Sequence, residues 1–195
     1  TSDSIQPSSI KPQLNHKFGE IDINSKKYTQ VSFNNPIYGE AFNQIHLHNG
    51  EILHEEGFQG EDMTIGIIDA GFSGAQANLS LMPAFQDNRV LGTKNFVENS
   101  TAVYKSSSHG TSVFTTMAGN ITGTYVGTCP NANYWLLMSE DVASETLIEE
   151  YYWLFAAEYA DSVGVDVINT SLGYTEFDDP SQNHTYADMD GNTTV

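Results

Sequence analysis

The sequence predicts an α/β domain built on a parallel sheet, and three observations carry that reading. Short apolar runs of strand length recur along the chain. Helical patterns separate them. Two of the runs end abruptly in residues that suit a ligand-facing edge, Asp69-Ala70-Gly71 and Ser171-Leu172-Gly173. In parallel sheets, ligands collect beyond the carboxyl ends of the strands, so both tripeptides are expected on one edge of the sheet.

The elements follow in order. Residues 1–43 are rich in Ser, Asn, Gln and Pro and show no long hydrophobic periodicity, so they read as a linker or N-terminal arm, with a strand expected around Tyr28 to Phe33. From residue 44 to 195 the texture is that of a folded domain. Ile45, Leu47, Ile52 and Leu53 lead into the glycine-punctuated turn Glu56-Gly57-Phe58-Gln59-Gly60. Met63-Thr64-Ile65-Gly66-Ile67-Ile68 is a continuous apolar run of the kind a strand covered on both faces shows. Arg89 to Phe96 and Tyr134 to Met138 are further strand candidates.

Ser108-His109-Gly110 opens a stretch of small and apolar residues, with Ser108 as candidate N-cap and Gly119 as the stop. A longer helix is predicted from about Ser144 to Ser162, its inward stripe read as Ile148, Tyr152, Phe155 and Tyr159 and its aromatic residues, Tyr151 and Trp153 included, as core. Gly164 ends it, and Val165 to Asn169 is the last strand.

Composition removes several classes of function. With 7 Lys+Arg against 25 Asp+Glu, the net charge is −18, a field that repels phosphate backbones and excludes nucleic acid as partner. Cys129 is the single cysteine, so no disulfide within the chain is expected. No run approaches the ~20 apolar residues of a membrane helix, and the first residues do not resemble a secretion signal.

Taken singly, the chemistry-bearing residues are ambiguous. Asp69 after a buried strand can orient a histidine, bind a metal, accept a ribose hydroxyl or cap a turn. A histidine at a helix start, as His109 is, faces the positive end of the helix dipole, which favours its neutral form and a role as base. Structural roles account equally well for either residue alone.

Together they are specific. A strand ending in Asp69-Ala70-Gly71 is followed by His109-Gly110-Thr111-Ser112 opening a small-residue helix, then by a strand ending in Ser171-Leu172-Gly173. This order, with the lead-in Leu53 to Gly60, resembles the subtilase family of serine proteases from about Gln44 onward. The resemblance implies a subtilisin-like parallel sheet with helices on both faces, incomplete in this chain. It implies that Asp69 orients the imidazole, that His109 is the general base, and that Ser171, Leu172 and Gly173 form an extended wall pairing with a polypeptide substrate. No cofactor is required and no metal ligands are assigned, although a structural Ca²⁺ is a common feature of the family. Family resemblance also places the protein in a bacterial branch, secreted or at the cell surface.

The chain departs from the family pattern in two ways. Ala70 stands where the family usually has Ser or Thr. No asparagine for the oxyanion and no Gly-Thr-Ser nucleophile follow Gly173. Gly110-Thr111-Ser112 copies those letters, but Ser112 lies three residues after His109 on the same helix and is rejected as nucleophile. The resemblance therefore implies a serine endopeptidase of which this chain supplies Asp and His, with a remaining part of the catalytic domain carrying the Asn and Ser. The alternative is an inactive subtilase-fold binding or scaffold component.

The other motifs are weaker. His46-Leu47-His48 reads as two surface histidines, because two ligands do not define a metal site. Asp178-Asp179-Pro180 and Asp188-Met189-Asp190-Gly191-Asn192 read as polar turns. The Asn-x-Ser/Thr triplets carry no weight in so Asn-rich a chain.

Overall fold

The computed structural model describes residues 35–188; the strand expected around Tyr28 to Phe33 lies outside them. Four strands make the main sheet: β1 (Thr64–Asp69), β2 (Val90–Asn95), β5 (Asn133–Met138) and β6 (Val167–Thr170). Their order is β2-β5-β1-β6, and every pairing is parallel. A small antiparallel pair, β3 (Asn120–Ile121) with β4 (Tyr125–Val126), stands apart. The helices are α1 (Phe42–Leu47), α2 (Gly50–Glu55), α3 (Met82–Gln86), α4 (His109–Ala118) and α5 (Ile148–Ser162).

Helices cover both faces of the sheet, as expected. Side chains alternate across a strand, so β1 splits its apolar residues between two cores. Ile65 and Ile67 join Tyr134, Leu136 and Phe114 of α4 in the larger cluster. Ile68 and Leu137 face the other way, onto Ala156 and Ala160 of α5. The continuous apolar run in β1 is the signature of this double coverage.

Two details of the helices correct the sequence reading. Ser108 does not cap α4 with its side chain; Ser107 Oγ instead accepts the His109 N–H at 3.0 Å. Helix α5 begins at Ile148 rather than near Ser144, and its buried residues are Glu149, Ala156 and Ala160, with Trp153 packed beside them. The stripe read from Ile148 and Phe155 points outward: both are about half exposed, as are Tyr151 and Leu154. Small alanines let α5 lie close on the sheet, so of the bulky residues read as core Trp153 and Tyr159 pack against it, while Ile148, Tyr151 and Phe155 face away.

Residues just after Asn35 are already integrated. Gly39 bridges Tyr125 of β4, and Tyr38, Ala41, Ile45 and Val126 form a minor core. Buried His54 ties it to the loop after β4, with Thr128 O 2.9 Å from Nε2 and the Tyr38 hydroxyl 3.1 Å from Nδ1. A carbonyl can only accept, so Nε2 carries a proton.

Candidate active site

The parallel sheet brings the carboxyl ends of β1, β5 and β6 together. Asp69 closes β1 opposite Met138 of β5, and Ile68 lies opposite Thr170 of β6, so Ser139 and Ser171 are the next residues on either side. Asp69 is buried, with 1% exposure. Its Oδ1 accepts the Ala70 N–H at 2.8 Å, a backbone donor that remains although the neighbouring side chain has no hydroxyl.

His109 meets this carboxylate from the first turn of α4. Its Nδ1 lies 2.9 Å from Oδ1 and 3.0 Å from Oδ2 of Asp69. The approach depends on Gly110. A Cβ there would fall 2.5 Å from Gly71 O and 3.0 Å from the Asp69 side chain, so any other residue would force α4 away from β1. Thr111 adds a tether, its hydroxyl donating to Ser73 O at 2.8 Å. Because a carboxylate only accepts, the Asp69 contact fixes the neutral ring as Nδ1–H, which leaves Nε2 unprotonated. The imidazole side chain is 53% exposed.

Ser171 to Gly173 leave the sheet beyond β6. Ser171 and Gly173 are exposed and Leu172 is half-buried. Among the described residues, none accepts a hydrogen bond from the backbone N–H of Leu172 or Gly173. A Cβ at Gly173 would meet nothing within 4 Å, so internal packing does not demand glycine there. Beside them an open groove of about 630 Å³ runs between α5 and the post-β6 segment, lined by Trp153, Leu154, Leu172 and Tyr174 among others.

The third strand end carries residues that the sequence reading passed over. Ser139 N–H donates to Asp69 O at 3.2 Å, and the next residue, Glu140, is buried at 9% exposure. The Tyr174 hydroxyl donates to Glu140 Oε1 and also lies 3.3 Å from Glu149 O. Burial pushes the Glu140 carboxyl up to about 7, and the charges of Glu149, Glu145 and Asp69 push the same way, against the Tyr174 hydrogen bond. The Tyr174 hydroxyl is itself held above its ordinary value by burial and by Glu140. Applying the strand-end rule to β5 as well as to β1 and β6 would have pointed to Ser139-Glu140.

Carboxylate oxygens of Glu140, Glu145 and Glu149 lie within 4.8 Å of one another. This trio does not fit Ca²⁺. Both Glu149 oxygens are taken by backbone donors, Asp141 N–H at 2.8 Å and Thr146 N–H at 3.0 Å, and Glu140 is bonded to Tyr174 and holds its proton to near neutrality. Calcium requires free anionic oxygens, which this arrangement does not present.

The remaining candidates lie elsewhere. His46 and His48 are exposed on or beside α1, His46 paired with Glu51. Ser112 is exposed one turn along α4 from His109 and turns its hydroxyl back to Ser108 O at 3.4 Å. Among the described residues, no helix is long and apolar enough to cross a membrane.

Comparison with known proteins converges on one family. A sequence profile described as the subtilase family matches residues 60–194. Subtilisin E of Bacillus subtilis is 33% identical over 124 residues, 62% of this chain and 29% of that protein. The subtilisin of Bacillus pumilus is 32% identical over the same length and is covered to 41%. The chain thus spans 29% to 41% of the length of these relatives. Among solved structures, MycP1 with its N-terminal propeptide removed aligns over 66% of this chain and 36% of its own, at 18% identity and a TM-score of 0.46.

Proposed function

The chain belongs to the subtilase family, and from that premise we propose that it supplies the aspartate and histidine of a serine endopeptidase. The observation that carries the reading is the Asp69–His109 contact, formed one strand away from Ser171 to Gly173. Asp69 holds the imidazole in its Nδ1–H form and stabilises it once charged. His109 Nε2 takes the proton of a serine hydroxyl as its oxygen attacks the scissile carbonyl, then gives that proton to the departing amine. Water repeats the sequence on the acyl-enzyme. Substrate lies extended along Ser171 to Gly173, whose free backbone groups pair with it as an added strand. Gly173 keeps that approach open.

The serine and the oxyanion-binding asparagine come from a further part of the catalytic domain. Its docking surface is the open side of the sheet: β6 is an edge strand with Val167 52% and Ile168 40% exposed, and Leu154 and Phe155 of α5 extend the apolar face. An uncovered hydrophobic edge of this kind calls for a partner segment. We place the stretch ahead of residue 35 as an arm, from its composition, and the protein outside a bacterial cell, from the family resemblance; residues 36–43, read with the arm, belong instead to the domain through Tyr38 and Ala41.

Residues 1–195 purified alone are expected to show no serine-dependent peptide hydrolysis, whereas a longer protein containing them hydrolyses peptides and loses the activity in His109→Ala. Turnover by residues 1–195 alone would defeat the division of labour. A folded longer protein without turnover would leave an inactive subtilase-fold binding or scaffold component.

A further inference from the structure

Two walls flank the space in front of Asp69 and His109, and one hydrogen bond joins them. The first wall is the segment leaving β5, Ser139 to Asp141. The second is the segment leaving β6, Ser171 to Tyr174. Tyr174 follows Gly173 directly and reaches across to Glu140 Oε1. On the β5 side the acceptor is held firmly: Ser139 N–H is bonded to Asp69 O, and Glu149, wholly buried, clamps the loop through Asp141 N–H and Thr146 N–H. On the β6 side little else holds the wall, since the backbone N–H groups of Leu172 and Gly173 have no acceptor among the described residues.

We propose that Glu140 is a positioning residue for the peptide substrate, holding the Ser171-Leu172-Gly173 wall in register through Tyr174. The proposal rests on the reading of that segment as the substrate wall. Glu140 acts on the wall, not on the reacting atoms. Its surroundings make the junction pH-sensitive. The titratable groups facing it are Tyr174 from the post-β6 segment, Glu149 from α5, Glu145 from the β5–α5 loop and Asp69 from β1, and none of these supplies a positive charge. Protonated, Glu140 sits without charge repulsion and the junction is closed. On losing its proton to solvent it becomes a buried anion beside other carboxylates, and the wall loosens.

Two measurements test this in the complete protease. ¹³C labelling of glutamate side chains, with Glu140 assigned by its loss in E140Q, should give a carboxyl titration centred near pH 7, and a Tyr174 ring signal, assigned with Y174F, should move with the same midpoint. A Glu140 titration near pH 4.5, or a Tyr174 signal indifferent to it, overturns the junction whether or not the protein hydrolyses peptides. In kinetics, KM for an extended peptide should rise as pH passes through about 7. Glu140→Ala and Tyr174→Phe should each raise KM at pH 6 about tenfold with kcat little changed, and the double variant should be no worse than either alone. Glu140→Gln, which keeps the acceptor and cannot ionise, should hold KM at one value across the range. A KM–pH profile in E140Q identical to that of the parent would overturn the positioning role. Absence of hydrolysis in the parent would defeat the peptidase reading instead, and the NMR titration would still decide the junction.

Discussion

The two sides of the sheet are finished to different degrees. Around β1, β5 and α4 the core is closed: Ile67, Phe72, Phe114, Tyr134 and Leu136 have no exposed surface. Around β6 and the outer face of α5, Val167, Ile168, Leu154 and Phe155 stand 40% to 52% exposed. The Asp69–His109 pair is anchored in the closed half, where the close approach at Gly110 and the Thr111 tether to Ser73 O hold α4 against β1. The segment Ser171 to Gly173, proposed as the substrate wall, belongs to the open half, where the Tyr174 hydroxyl reaches Glu140 Oε1 and Glu149 O. The pair thus rests on a finished core, while the segment beside it borders an open apolar face.

The largest effect should fall on the pair itself. In the complete protease, His109→Ala or Asp69→Asn should lower kcat by about 10⁴-fold or more at pH 8, read with a chromogenic peptide, while leaving the thermal midpoint close to that of the parent. Equal loss from Tyr174→Phe would erase the distinction between the halves.

Stability should show the same contrast. Leu136→Ala, in the closed core, should cost about 2–5 kcal/mol in chemical denaturation. Gly110→Ala should cost about 1–3 kcal/mol, because its methyl group would press on Gly71 O and the α4 approach would have to shift. The Gly110 variant should also lose catalysis, since His109 moves with the helix.

Much of this was legible in sequence. The β1 run, its terminal Asp69 and the small-residue opening of α4 are dictated by local chemistry, and the fold places them as expected. The orientation of α5 was not. Ile148 and Phe155 follow a helical period, but so do Glu149, Ala156 and Ala160, and hydrophobicity alone favours the wrong set. What buries Glu149 is its pairing with the backbone of Asp141 and Thr146, a loop contact that no periodicity reports. Glu140 escaped for the same reason, its partner Tyr174 being 34 residues away.

The pH dependence of stability sharpens the comparison further. The folded Glu140 carboxyl is raised from 4.5 to about 7, so its favourable contribution is complete below pH 4.5 and is lost as pH rises through 7. A raised carboxyl of this size corresponds to on the order of 3 kcal/mol, and E140Q should abolish that slope in denaturation curves taken from pH 5 to 8. Smallest of all, Val167→Thr on the open edge should change the stability of residues 1–195 by less than about 0.5 kcal/mol. In a longer protein whose further part docks on this edge as proposed, the same substitution should cost more.

The central claim is that Asp69 and His109 of this chain activate a serine carried on a further part of the domain. Labelling the complete native protein with a fluorophosphonate probe, followed by mapping of the modified peptide, tests it most directly. The expected result is one labelled serine outside residues 1–195, with labelling lost in His109→Ala. Label on Ser112 or any other serine within residues 1–195, or labelling that survives His109→Ala, would contradict it.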